Sequence, residues 1–162
     1  MNDSLTPTII TFPNTKFIGK NLSFTYADYR AYELWSSFMP RRREIQNTIG
    51  TELYNIQINP ENFDFNPNTP FTKWAAVAVL SFDFIPDGMG TLEIQERLYA
   101  VFKYKGDQSC AASFFNSIYT KWLPSSNYEL DDSPQFEILG KKYKNIDLNS
   151  EEEIWIPVKQ KQ

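Results

Sequence analysis

The sequence predicts an α+β fold in which two strand-helix-strand-strand units form one antiparallel sheet, with two main helices on one face and a ligand pocket on the other. Two observations predict this arrangement. Segments with alternating apolar residues and segments with helical apolar spacing follow in the same order in both halves of the chain. Each helical segment also meets a proline, Pro40 or Pro124, which should end or kink it.

The first unit begins with a strand in which apolar residues alternate over 22–26. A helix near 28–44 follows, and Asp28 is its predicted N-cap. Alternation over 54–58 and an apolar run over 74–82 predict the other two strands. The helix carries an apolar face that we assign to the core rather than to a site: Ala31, Leu34, Trp35 and Phe38.

The second unit begins with an apolar strand at 98–104 that turns at Gly106. A helix near 108–123 follows behind Asp107, and its large apolar residues are again assigned to the core: Ala111, Phe115, Ile118 and Trp122. Aligning the two helix-end prolines matches Phe38-Met39-Pro40 with Trp122-Leu123-Pro124 and places 51–56 on 135–140. This offset predicts a duplicated unit with a pseudo-two-fold axis between the halves.

Length and charge limit the class of protein. A chain of 162 residues predicts one domain, 1–162, with an ordered core at about 16–159. A net charge of −4 opposes nucleic-acid binding, because a basic surface is needed to neutralise phosphates. The basic run at 41–43 is interpreted as a solvated helix end. No apolar segment approaches the length of a membrane span, and 1–15 lack the pattern of a signal peptide.

Cysteine and histidine usage limits the chemistry. The chain has one cysteine, Cys110, and no histidine, so an intramolecular disulfide is impossible and a transition-metal site is not expected. We expect no cofactor and no metal, since Asp131-Asp132 lacks further ligands. A thiol hydrolase at Cys110 would have no histidine base. These features predict a cytoplasmic protein.

A candidate binding site lies in the last two predicted strands. In 135–139, alternation sets Phe136 and Ile138 on one face and Glu137 on the other, and in the final strand Trp155 faces away from its apolar neighbours. We assign Phe136 to the core under the helices, which places Glu137 and Trp155 on matching faces beside a pocket. A cationic ligand would compensate the desolvation of that carboxylate and gain from aromatic faces.

Further aromatic residues on candidate strands complete the predicted ligand-binding set of Glu137, Trp155, Tyr99, Tyr54 and Trp74. Other interpretations stay open for each of them. Glu137 could be an exposed strand residue, or could be satisfied by a lysine or a tyrosine hydroxyl. Short apolar stretches do not fix the faces on which Tyr54 and Tyr99 lie, and Trp74 could simply be buried.

Several separated segments occur in the order found in a known family: 98–102, Gly106, 128–137 and 153–159. With the helix end at 38–43, they resemble the GyrI-like domain, also called the bacterial transcription activator effector-binding domain, as found in AraC-type regulators. The resemblance implies a duplicated fold with a ligand pocket between the halves. It also places the family's pocket acid on Glu137, and it places an aromatic position that is commonly tyrosine on Trp155.

The resulting hypothesis is a stand-alone protein that binds an amphipathic, aromatic and cationic drug-like molecule, in transcription regulation or drug sensing. Residues 1–15 are too few for a helix-turn-helix, so no direct nucleic-acid or membrane binding is expected. One alternative is a hydrolase of strained or electrophilic molecules in which Glu137 is the general base and Tyr99 positions or protonates the substrate. Another is a gyrase-inhibitor-like module with a protein partner, and a homodimer also stays open.

Overall fold

The structure is a computed structural model that describes residues 6–61, 63, 66–105, 108–139 and 151–162, without the side chains of 108–112 and 151. The described residues form strands, two main helices and shorter helical turns. The strands are β1 (Thr8–Phe12), β2 (Thr15–Phe24), β3 (Leu53–Ile58), β4 (Phe71–Val79), β5 (Gly90–Ile94), β6 (Arg97–Lys105), β7 (Tyr128–Leu130), β8 (Gln135–Leu139) and β9 (Glu151–Gln160). The helices are α1 (Ala31–Phe38), followed by a 3₁₀ helix (Met39–Glu44), and α2 (Gln108–Ser117), followed by a π-helical turn (Ile118–Trp122) and α3 (Leu123–Ser125).

The chain divides into two compact units. The central unit is Asn14–Gln95, and the terminal unit combines the residues up to Pro13 with Glu96–Gln162. In the central unit the strands lie in the order β3-β4-β2-β5, and every pair is antiparallel. Helix α1 packs its buried Leu34 and Phe38 against one face of this sheet, on Ile18, Ala75 and Val77.

The terminal unit has strand order β1-β6-β9-β8, again antiparallel, and β7 pairs with the end of β9. The segment after α2 covers one face of this sheet, where Ile118 packs with Phe102, Ile154 and Ile156. The burial of these branched and aromatic side chains is the main stabilising term, at about 1.5–3 kcal/mol for each fully buried side chain.

The prediction of an α+β fold built from antiparallel strands and two main helices is confirmed. Each unit contains one strand before its main helix (β2 or β6) and a pair of strands after it (β3 and β4, or β8 and β9). In each unit the two strands of that pair are neighbours, and the second of them also lies beside the strand before the helix. The origin of this similarity in a duplication stays a prediction. The core assignment is confirmed for the large side chains, since Leu34, Trp35 and Phe38 pack against the sheet of the central unit and Phe115, Ile118 and Trp122 pack with Phe102. Ala31 is only half-buried, and the side chain of Ala111 lies outside the described residues.

Some element boundaries differ from the prediction. Helix α1 begins at Ala31, its N-cap is Arg30, and Asp28 instead forms an ion pair with the Arg30 guanidinium at 2.9 Å. The predicted N-cap is therefore wrong, because Arg30 offers Asp28 a charged partner. Pro40 ends α1 as expected, since the chain narrows to a 3₁₀ helix there. Gly106 and Asp107 lie outside the described residues.

Three strands were not predicted: β1 ahead of the expected ordered core, β5 after the loop that follows β4, and β7 ahead of β8. They are three to five residues long, too short for alternation to stand out from the surrounding polar residues. In the part of the chain that the structure describes, no helix is both long enough and apolar enough to cross a membrane.

Candidate functional site

The strand register of the terminal unit separates its sheet into two faces. Trp155 on β9 lies directly opposite Val101 on β6 and Phe136 on β8, and directly opposed residues share a face. The neighbouring Ile154 lies opposite Phe102 and packs toward the segment after α2. Trp155 and Phe136 therefore lie on the face turned away from α2, which we call the open face.

Four aromatic residues pack together on the open face, and we call them the aromatic cluster. Phe136 stacks on Trp155 with ring centroids 5.3 Å apart and an interplanar angle of 16°. Phe12, from β1, contacts Phe136 at 4.9 Å and Trp155 at 5.3 Å, while Tyr99 lies 5.1 Å from Phe136 and 6.0 Å from Trp155. Trp155 keeps 8% of its surface exposed, whereas Tyr99 has none. The sequence predicted Trp155 and Tyr99 as site residues, and Phe12 and Phe136 were missed.

Glu137 does not share a face with Trp155, so that expectation is wrong. Glu137 lies opposite Ile154, on the side of the sheet that carries the helical segment, and it is half-buried there. The expectation assigned Phe136 to the core under the helices. Phe136 is indeed buried, at 2% exposure, but it is buried in the aromatic cluster on the opposite face. Both faces of β8 carry buried apolar residues, so the apolar pattern of this strand does not show which face lies under the helical segment.

Glu153 places a carboxylate on the open face. It lies two residues before Trp155 on β9, and its Oε1 accepts a hydrogen bond from Trp155 Nε1 at 3.2 Å. Glu153 is half-buried, and its direct neighbours across the strands are Lys103 and Ile138. Glu153 was not among the site residues predicted from the sequence. The spacing of two residues from Trp155 is the signal that could have found Glu153.

The hydroxyl of Tyr99 is held by the segment that precedes β8. Its Oη donates to the carbonyl oxygen of Pro134 at 2.8 Å and lies 3.1 Å from Ser133 Oγ. Burial raises the pKa of Tyr99 to about 12, and the hydrogen bond with Ser133 opposes part of that rise. Tyr99 is therefore neutral at physiological pH and engaged in internal hydrogen bonds.

Tyr54 and Trp74 lie together on one face of the central unit. Tyr54 is opposite Ala76 and Ile56 is opposite Trp74, so all four side chains point away from the face on which α1 packs. The indole of Trp74 reaches across to β5, since a methyl group added at Gly90 would lie 3.1 Å from Trp74 Cη2. Trp74 is 8% exposed. The face of the central unit that is turned away from α1 thus carries two of the predicted site residues, Tyr54 and Trp74.

Asp131, the first residue of the acidic pair at 131–132, forms an ion pair within the terminal unit. Asp131 Oδ2 accepts a hydrogen bond from Arg97 Nη1 at 3.0 Å, and the two groups form an ion pair. Among the described residues, no group of three or more potential ligands from histidine, cysteine, aspartate and glutamate could hold a metal ion. The side chain of Cys110 lies outside the described residues.

The sequence model of a protein family, the GyrI-like small molecule binding domain, matches residues 5–159 of the chain. The chain belongs to the GyrI-like family. This GyrI-like chain is also 29% identical over 128 residues to the transcriptional regulator BrlR of Pseudomonas aeruginosa, a match that covers 78% of this chain. It spans 45% of the length of BrlR.

Solved structures resemble the fold of this GyrI-like chain. SAV2435, solved bound to tetraphenylphosphonium, has a TM-score of 0.68 and 13% identity, with 94% of this chain and 93% of that chain covered. The C-terminal domain of EcmrR has a TM-score of 0.70 and 16% identity, with 95% and 97% covered. At these identities the likeness concerns the fold alone.

Proposed function

We propose that this GyrI-like domain binds an amphipathic, aromatic, cationic small molecule at the open face of the terminal unit, with Trp155 and Glu153 as contact residues. One observation carries the proposal: a half-buried carboxylate is hydrogen-bonded to a tryptophan that is itself backed by further aromatic rings. A lipophilic cation is the ligand that uses both groups at once, because its charge pairs with the carboxylate and its apolar groups pack on the rings.

Packing within the aromatic cluster supports this assignment of roles. Phe136 and Phe12 contact the indole of Trp155, so its orientation is fixed before a ligand arrives, which lowers the entropic cost of binding. Each cation–π contact contributes about 0.5–2 kcal/mol, and tryptophan is the best of the aromatic partners. Trp155 in place of the family's common tyrosine thus keeps the aromatic surface and supplies an N–H to orient Glu153.

The other predicted residues enter the proposal with different weights. Tyr54 and Trp74 belong to the central unit, and their role as ligand contacts stays a prediction from the sequence. Glu137 is the acid that the family resemblance favours, but it lies on the other face of β8, so the proposal assigns the role of charge partner to Glu153. The hydrolase alternative would need Glu137 and Tyr99 at one substrate, yet they lie on opposite faces of the same sheet. That separation favours binding over catalysis.

The regulatory context is part of the same proposal. The similarity to BrlR supports a role in transcription regulation, and the complex of SAV2435 with tetraphenylphosphonium supports a cationic ligand. A cytoplasmic location and a role as a sensor or a drug sponge are also proposed, from the sequence alone.

Calorimetry with tetraphenylphosphonium and the neutral triphenylphosphine oxide tests the charge recognition. Glu153→Gln keeps an acceptor for Trp155 Nε1 and removes only the charge, so we expect tetraphenylphosphonium to bind about 1.5–3 kcal/mol more weakly and the neutral ligand to change little. Glu137→Gln is the matched control and should cost less than about 0.5 kcal/mol.

The outcomes separate the two carboxylates. A larger loss in Glu137→Gln than in Glu153→Gln would assign the charge partner to Glu137. Equal losses for the charged and the neutral ligand would contradict charge recognition. Failure of the wild-type protein to bind tetraphenylphosphonium would contradict the proposed ligand class.

A further inference from the structure

A short segment crosses from β7 to β8 beside the aromatic cluster, and we call residues 131–134 the strap. Three groups of the terminal unit hold it. The backbone N–H of Asp131 donates to the carbonyl of Pro157 on β9 at 3.0 Å. The carboxylate of Asp131 pairs with Arg97, and the carbonyl of Pro134 accepts from Tyr99.

Two of these anchors come from one face of one strand. Arg97 and Tyr99 are two residues apart on β6, so both side chains lie on the open face. Tyr99 carries one hydroxyl hydrogen, and a carbonyl can only accept, so that hydrogen goes to Pro134 and Ser133 donates its own hydrogen to Tyr99. The Tyr99 hydroxyl therefore joins two strap residues at once.

The strap leads directly into the strand that carries Phe136. Phe136 follows Pro134 by two residues and stacks on Trp155. Strand β8 has five residues, so few backbone hydrogen bonds to its neighbour fix its register. A shift of one residue in that register would turn Phe136 to the other face of the sheet. The bonds of the strap fix the point at which β8 begins, and with it the position of Phe136.

From this geometry we infer that Tyr99 and Arg97 are positioning residues, which hold the strap so that Phe136 supports Trp155 for binding, and that Tyr99 does not itself contact the ligand. The inference rests on the proposed function for its binding consequence. The complete burial of Tyr99 agrees with a supporting role, because a ligand could reach its ring only by displacing its neighbours.

Hydrogen exchange and binding, measured together on Tyr99→Phe, test the inference. The substitution keeps the ring and removes the hydroxyl. We expect the amides of 131–136 to exchange about tenfold faster, while those of β4 are unchanged, because only local opening becomes easier. Tetraphenylphosphonium should bind about 3- to 10-fold more weakly, and its addition should restore protection to 131–136. Arg97→Gln should reproduce both effects.

Tyr104→Phe is the matched control, since it removes a hydroxyl from the same strand on the other face. Tyr104→Phe should leave the amide hydrogen exchange of 131–136 unchanged, and it should not alter the affinity for tetraphenylphosphonium. Weaker binding in Tyr99→Phe with unchanged exchange would show that the hydroxyl contacts the ligand and would overturn the inference. Faster exchange with unchanged affinity would overturn the link between strap and binding. If the wild-type protein does not bind the probe, the proposed function fails, and the exchange measurement still reports whether Tyr99 holds the strap.

Discussion

Tyr99 links the stability of the protein to alkaline pH. Its pKa rises from an ordinary value of 10.0 to about 12 on folding, so the unfolded chain loses this proton first. The neutral hydroxyl of Tyr99 thus contributes roughly 2–3 kcal/mol to the free energy of unfolding. This contribution is fully present below about pH 10 and is lost as the pH rises to about 12. Urea unfolding of wild type and Tyr99→Phe from pH 8 to 11.5 checks this. The advantage of wild type should shrink above pH 10, and a constant difference would contradict the assignment.

Single residues also show where sequence reasoning reaches its limit. Alternation correctly separated Trp155 from Ile154, because β9 is long and one of its faces is continuously apolar. The same reasoning failed for Glu137, because β8 is short and has buried residues on both faces. Phe12 could not be found, since its contacts are with residues distant in sequence.

The strands of the central unit depend on a close approach at Gly19. A methyl group added there would lie 2.7 Å from Ala76 Cα and also too close to the carbonyl oxygen of Ala75. We expect Gly19→Ala to destabilise the protein by about 3 kcal/mol, because a backbone obstacle cannot move aside. Gly90→Ala is the comparison: its new methyl group meets the indole of Trp74, which can shift, so about 1 kcal/mol is expected. Equal losses in urea unfolding would contradict this account.

Element type was easier to predict than element boundary. The core strands and both main helices were found because their periodicity extends over eight or more residues or agrees with a helix-end proline. The helical N-terminus was misplaced by a few residues, since Asp28 has the character of an N-cap and is used in an ion pair instead. The short edge strands β1 and β5 contain too few residues for the alternation of apolar and polar side chains to be detected.

The composition of the whole molecule predicts a flat pH response of binding. The chain contains no histidine, the side chain whose ordinary pKa lies between 5 and 8. We therefore expect the affinity for tetraphenylphosphonium to change by less than about twofold between pH 6 and 8, and to fall toward pH 4 where carboxylates take up protons. Fluorescence titration across this range checks it, and a steep change near pH 7 would reveal a strongly perturbed group in the site.

The pairing of β1 sets an order of events during synthesis. Thr8 lies opposite Val101, so β1 leaves the ribosome long before its partner strand β6 has been made. The central unit is one continuous stretch of chain and can assemble in the interval. Until β6 has been translated, β1 has no partner strand for this ladder, and unpaired strands can associate with other chains. Completion of the aromatic cluster, which needs Phe12, is therefore a late step in the maturation of each molecule.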